Sequence, residues 1–214
     1  MLKIQDAVKN ILYSDEEALF ALYKGYMNLS AYAKQIKNNV EEVTFKDVKT
    51  TGIVVALSRL QKDIKNIHPM IQDVKINNIT TKSPLSELVY EKSSRLLEKL
   101  TLLHEKIKTG NDDFFTVILS TSEITVICSD RIKKEVQDTL VEKPRMIQNK
   151  LASIGLSFDP KYYDMPNIIY SLLRKIAKEK ILLAETITTH TEIIFIYHQE
   201  DSPKVLKIFE SSIE

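Results

Sequence analysis

Glycine is scarce in this 214-residue chain, which has only Gly25, Gly52, Gly110 and Gly155. Loops that cradle phosphate need several glycines close together, so that backbone N–H groups can approach the anion. No GxGxxG, Walker-type or GxSxG pattern occurs, and a familiar nucleotide-dependent enzyme is therefore not expected. Cysteine is rarer still. Cys128 stands alone, which rules out an internal disulfide and fits a reducing, cytoplasmic setting. Neither charge sign dominates: 30 Lys and Arg oppose 29 Asp and Glu, for a net charge of +1. Such a balance gives no global attraction to nucleic acid or membrane. No apolar run reaches the ~18 residues of a membrane span, and MLKIQDAVKN lacks the apolar core of a signal peptide. His68, His104, His190 and His198 show no HxxxH spacing. With one cysteine they complete no zinc set, so neither metal nor cofactor is expected.

What is present is an ordinary globular composition, 43% hydrophobic and 28% charged, in a length suited to one or two domains. Residues 1–70 read as helices. Ile4, Val8, Ile11 and Leu12 share a face at helical spacing. Ser14 is the expected cap of a second helix, with Glu17 as its capping-box partner and Ala18, Leu19, Leu22 and Tyr26 as its stripe. Ser30 is the expected cap of a third, carrying Ala33, Ile36 and Val40. A fourth places Ile53, Val54, Leu57, Leu60 and Ile64 inward and stops at His68-Pro69.

Residues 71–214 read as mixed strands and helices. Two short strands are expected near 74–80 and 86–91, broken by Ser83-Pro84. A helix over about 93–109 carries Leu96, Leu97, Leu100, Leu103 and Ile107, followed by a turn at 109–113. FFTVILSTS and EITVICS are strands and RIKKEVQDTL is a helix. One strand is expected between Pro144 and Gly155, and another over 151–158. MPNIIYSLLRKIAKEK is a helix with Pro166 near its start. LLAETITT and EIIFIYHQ are strands, and SPKVLKIFES is a last helix capped by Ser202.

A shift of 69 residues aligns 96–128 with 165–197 without a gap. Leu103 falls on Leu172, Ile107 on Ile176, Glu123 on Glu192 and Ile124 on Ile193. Each window runs helix, strand, strand, so the chain holds two βαββα units, about 82–141 and 150–214, of the ferredoxin-like kind. The segment Thr121-Ser122-Glu123-Ile124 and its strand pair resemble the ACT domain, and in particular the regulatory region of aspartate kinases. ASIGLSF and MPNIIYSLLRKIAKEKI are similarly like the first strand, loop and helix of a second module. The resemblance covers about two thirds of the chain. It implies an α+β fold, with an N-terminal helical bundle and then tandem ACT-like modules. It also implies a regulatory, non-catalytic role in which a small ligand, an amino acid, is sensed and the protein pairs as a homodimer. No glycine-rich kinase domain precedes the modules here, and Met165-Pro166-Asn167 stands where the family has Pro-Gly. The second unit lacks a fourth strand of its own. The spare strand near 74–80 is expected to fill that gap and interlock the modules.

The resemblance places an effector at Ser120, Thr121, Ser122 and Glu123, at the loop residues Ser157, Asp159, Asp164 and Asn167, and at Thr189, His190 and Thr191. Each group also has a plainer reading, as turn formers or surface loop residues. A second functional reading is DNA binding by a helix-turn-helix, with LSAYAKQI as the positioning helix. The recognition helix would then expose Lys49, Thr50, Thr51, Ser58, Arg59 and Lys62. Residues 46–65 carry five basic and two acidic side chains. Against it, EEVTFKDVK separates the helices, and residues 1–70 balance ten basic against eight acidic side chains, a weak footprint for phosphate. A third reading is a ligand-free oligomerisation scaffold.

Overall fold

The computed structural model describes residues 2–64, 74–107, 110 and 112–210. It divides into two compact units, 1–72 and 73–214, and the fold is α+β. The expected stop at His68-Pro69 lies outside the described residues, as do Thr109 and Asn111 of the expected turn.

The first unit is a helical bundle of α1 (Ile4–Ser14), α2 (Glu16–Lys24), α3 (Leu29–Thr44) and α4 (Thr50–Ile64). Helical periodicity puts Val8 and Leu12, Leu22, Ala33, Ile36 and Val40, and Ile53, Leu57 and Leu60 into one buried cluster. The caps differ from the sequence reading. Ser14 is still inside α1, where its hydroxyl donates to the Ile11 carbonyl. Asp15, in extended backbone, caps α2 by accepting the Ala18 N–H at 3.0 Å. Asn28 rather than Ser30 caps α3, accepting the Ala31 N–H at 3.1 Å. Tyr26 lies beyond the left-handed Gly25 that ends α2, and is 80% exposed. The segment EEVT continues α3, so only residues 45–49 separate α3 from α4.

Asp15 also accepts the Tyr32 hydroxyl at 3.1 Å. Burial pushes the Tyr32 phenol well above its ordinary range, and the neighbouring Asp15 carboxylate adds to this. Asp15→Ala removes both a helix cap and a partner of a buried hydroxyl. It is expected to cost about 1–3 kcal/mol in urea unfolding, and a loss under about 0.5 kcal/mol contradicts this account.

The second unit is a single antiparallel sheet with strand order β2-β3-β1-β4-β6-β5. Its elements are β1 (Ile76–Glu91), α5 (Ser94–Lys106), β2 (Phe115–Leu119), β3 (Glu123–Ser129) and α6 (Asp130–Leu140). These are followed by β4 (Met146–Phe158), α7 (Ile168–Lys178), β5 (Leu183–Thr188), β6 (Glu192–His198) and α8 (Ser202–Glu210). Two pairs of expected short strands are each one long strand. Ser83-Pro84 does not break β1, because a register shift against β4 between Lys82 and Leu85 accommodates the missing N–H. The residues before and after Lys150 likewise form a single β4. Ser202 opens α8 from inside, after a 3-10 turn at Gln199–Asp201.

β1 and β4 lie at the centre, and each serves both halves. Ile76–Lys82 of β1 pair with Phe158–Ser153 of β4, and Leu85–Glu91 pair with Ser129–Glu123 of β3. Strand alternation divides the side chains between the faces. Leu88, Tyr90, Ile124, Val126 and Cys128 pack with Leu96, Leu103, Val136 and Leu140 of α5 and α6. Ile154, Leu156, Ile193, Phe195 and Tyr197 pack with Leu172 and Ile176 of α7 and with Val205 and Phe209 of α8. The opposite face carries Leu85, Ile127, Leu151 and Ile196, all buried. On that face Glu87 of β1, 2% exposed, meets Glu185 of β5. Two strands separate β1 from β5 in the sheet, a flat distance of about 14 Å at ~4.8 Å per strand, so the sheet must curl to bring the carboxyl groups together. Gly155 marks another close approach. A β-carbon there would lie 2.5 Å from Thr80 Oγ1 and 2.6 Å from Glu192 Oε1.

Candidate functional site

The two halves of the sheet leave their first strands by the same backbone bond. The Lys92 N–H donates to the Ser122 carbonyl at 3.0 Å, and the Phe158 N–H donates to the Thr191 carbonyl at 2.9 Å. They then diverge. In the first half only residues 92–93 precede α5, whose Ser93 cap accepts the Leu96 N–H at 3.0 Å. The Lys92 ammonium lies over the β2–β3 turn and donates to the Ser120 carbonyl at 2.9 Å. In the second half residues 159–167 intervene before α7. A shift of 69 from Ser94 would start that helix at 163, but it starts at Ile168. Pro166 disfavours helix at the residue before it, and Asn167 sits in the left-handed region at φ 67°. Residues that align with the first turn of α5 are thereby left as loop.

The loop is built from local bonds and aromatic contacts. Asp159 accepts the Lys161 N–H at 2.9 Å and caps a 3-10 turn, Pro160–Tyr162. Tyr162 is buried edge-on to Phe158, with ring centroids 6.3 Å apart, and its hydroxyl accepts the Lys75 N–H at 3.2 Å. Tyr163 is exposed and reaches the β5–β6 turn, where its ring lies 4.5 Å from that of His190. Between loop, turn and helix lies a cleft of about 260 Å³. Its lining is Phe158, Tyr162, Tyr163, Met165 and Asn167 from the strand end and loop, Ile168, Ile169 and Tyr170 from α7, and Thr188, Thr189, His190 and Ile193 from the hairpin.

Of the residues singled out in the sequence, Asn167, Thr189 and His190 meet in this cleft. Thr191 follows in the same turn and serves it through its carbonyl. Ser157 is half-buried on β4, paired with Glu192. Asp159 is used as a cap and Asp164 is exposed in the loop. Ser120, Thr121, Ser122 and Glu123 form the β2–β3 turn, and β2 and β5 are at opposite edges of the sheet. That turn is closed on itself: Ser120 Oγ accepts the Glu123 N–H at 3.0 Å and donates to the Glu123 carbonyl at 3.1 Å. Sequence reasoning passed over Phe158, Tyr162 and Tyr163. The available signal was two adjacent tyrosines in an otherwise polar loop.

On α4 and just before it, Lys49, Thr51, Arg59 and Lys62 are exposed, while Thr50 and Ser58 are half-buried. Among the described residues no group of three or more His, Cys, Asp or Glu side chains is arranged to hold a metal ion. No described helix is long and apolar enough to cross a membrane. Cys128 is buried beneath α5 and α6, and burial pushes its thiol up to about 12, so it is an inert packing group rather than a nucleophile.

Solved structures that superpose on this chain include regulatory portions of aspartate kinases. The ligand-free regulatory subunit of aspartate kinase from Thermus thermophilus superposes with a TM-score of 0.51, over 65% of this chain and 99% of that one, at 9% identity. The aspartate kinase of Clostridium acetobutylicum gives a TM-score of 0.54 at 13% identity, over 67% of this chain and 36% of that one. E. coli aspartokinase III, solved in complex with aspartate and ADP, gives 0.52 at 10% identity, over 65% and 34%. The chain thus spans about a third of the length of the two whole kinases it matches. At these identities the likeness is one of fold. No family profile matches the chain, and no curated protein matches it.

Proposed function

We propose that this is a non-catalytic regulatory protein. In this reading its sheet is a pair of interlocked ACT-like modules, and it senses a small ligand, an amino acid, in the cleft between residues 159–167 and the β5–β6 turn. The observation that carries the reading is the cleft itself. It exists where one copy of a repeated module has lengthened its strand-to-helix connection, and the other copy has not. Its size suits one small molecule, just below the ~300–1,000 Å³ of drug-sized sites. Binding there tethers loop, helix start and hairpin, and would bias whichever arrangement of the three it fits better. Strands β2 and β5 are the outer strands of the sheet, and sheet edges are where a second copy can add, so a homodimer belongs to the same reading. A monomer by light scattering removes that part of it.

A thermal-shift screen of the twenty amino acids and common metabolites tests the central claim. A ligand at a hundred times its Kd adds about 2.7 kcal/mol, a rise in Tm of about 5–10 °C for a chain of this size. No rise from any compound at millimolar concentration sinks the proposal.

One observation favours a second reading, DNA binding by the first unit. The connection between α3 and α4 is five residues, 45–49, close to the turn a helix-turn-helix needs. Arg59 and Lys62 then lie on the exposed face of α4. Binding of random duplex that weakens steeply with salt supports this reading, and no retardation at low salt ends it.

A further inference from the structure

The chemistry of the cleft restricts what it holds. Its body is apolar and aromatic, from Phe158, Tyr162, Ile168, Ile169 and Ile193. Among the described residues no Asp, Glu, Lys or Arg lines it. A ligand with a charged side chain would leave water there and find no opposite charge, which is unfavourable for any ion. The polar groups gather at one side: Asn167 at the start of α7, and Thr188, Thr189 and His190 on the hairpin. Asn167 makes no side-chain cap for α7. The first turn of this eleven-residue helix, Ile168 to Tyr170, is itself the cleft wall. Backbone N–H groups and the helix dipole at such an end favour one negative charge. The cleft therefore pairs an apolar body site with a single place for an anion. Beside it the Asn167 amide oxygen and the Thr188 and Thr189 hydroxyls can accept from one α-ammonium, and no carboxylate is there for a second cation.

We infer that the cleft takes a small monocarboxylate with an uncharged aromatic or aliphatic body, either a hydrophobic amino acid or the corresponding 2-oxo acid, and excludes lysine and aspartate. The inference rests on the reading of the cleft as the sensor site. It also sets the stoichiometry at one ligand per chain. In the first half of the sheet the equivalent connection is two residues long, and the Lys92 ammonium occupies the space over the hairpin turn.

The test is calorimetric titration of the full chain with L-phenylalanine, phenylpyruvate, L-lysine and L-aspartate. Tyrosine fluorescence is a second readout, since the chain has no tryptophan. Phenylalanine, phenylpyruvate or both are expected to bind at one per chain. The two arms tell the amino acid from the oxo acid as the source of the shared chemistry. Ile169 is 45% exposed, so Ile169→Asp is expected to leave the unfolding midpoint unchanged. It places a like charge beside the carboxylate and is expected to weaken binding at least tenfold. Binding of lysine or aspartate with no binding of either phenyl compound overturns the ligand class and leaves the sensor reading standing. Silence from all twenty amino acids and the oxo acid removes both. Two ligands per chain, or binding untouched by Ile169→Asp, places the ligand elsewhere and also overturns the inference.

Discussion

Phe195→Ala is expected to lower the unfolding free energy by about 3–5 kcal/mol. Phe195 is fully buried on β6, flanked in the ladder by Ile154 of β4 and Thr186 of β5. Its ring stacks on Phe209 of α8 with centroids 6.2 Å apart and planes 14° from parallel. Truncation removes the transfer energy of the ring and leaves a cavity walled by sheet on one side and helices on the other. The sheet ladder keeps that cavity from collapsing. Phe195→Leu, which keeps most of the volume, is expected to cost clearly less. Urea unfolding of the two variants checks both the size and the order. Equal losses would mean that the ring and its stack on Phe209, rather than the filled volume, carry the contribution.

Glu87→Gln is expected to stabilise the protein by about 3 kcal/mol at pH 8 and to do almost nothing at pH 4. Burial, and then the facing Glu185 carboxylate, raise the Glu87 carboxyl from its ordinary 4.5 to about 7. One of its oxygens, Oε2, is buried without a hydrogen-bond partner. The folded state therefore holds this proton more tightly than the unfolded chain does. The contribution to stability is fully present below about pH 4.5. It falls as pH rises through about 7, at ~1.4 kcal/mol for each unit between the two values. Glutamine keeps the shape and carries no charge, so the variant should show a flat profile over that interval from this site. Urea unfolding at pH 4, 6 and 8 measures it. Parallel profiles for the two proteins would show that Glu87 is not the titrating group.

Helical and strand periods carried much of the fold. The faces of α1, α3 and α4 follow from spacing alone, because a bundle buries one stripe of each helix. The hairpins β2–β3 and β5–β6 follow from alternation and from the shift of 69. What spacing did not carry is how long β1 is. Ser83-Pro84 has the composition of a break, and only the pairing with β4 shows that a register shift absorbs it. The candidate site was half legible for a similar reason. Asn167, Thr189 and His190 stand out as polar turn residues. The importance of Tyr162 and Tyr163 depends on where α7 begins, and that start is five residues later than the repeat implies. The two turns, Ser120–Glu123 and Thr189–Glu192, read alike and close alike. Their difference is in the neighbours that the third dimension supplies.

The sharing of β1 and β4 has a consequence for cooperativity. Neither half of the sheet owns a complete set of strands. Opening β4 strips it from Ile76–Lys82 and also from Leu85–Val89, which pair with Leu151–Met146 on that side and with β3 on the other. Local unfolding that costs less than global unfolding needs a segment that can leave without disturbing the rest, and the central pair offers no such seam. The two halves should therefore exchange their amide hydrogens as one body. Ligand bound beside Asn167 would then slow exchange at Leu88 and Tyr90, on the far side of the sheet's midline, as well as around the cleft.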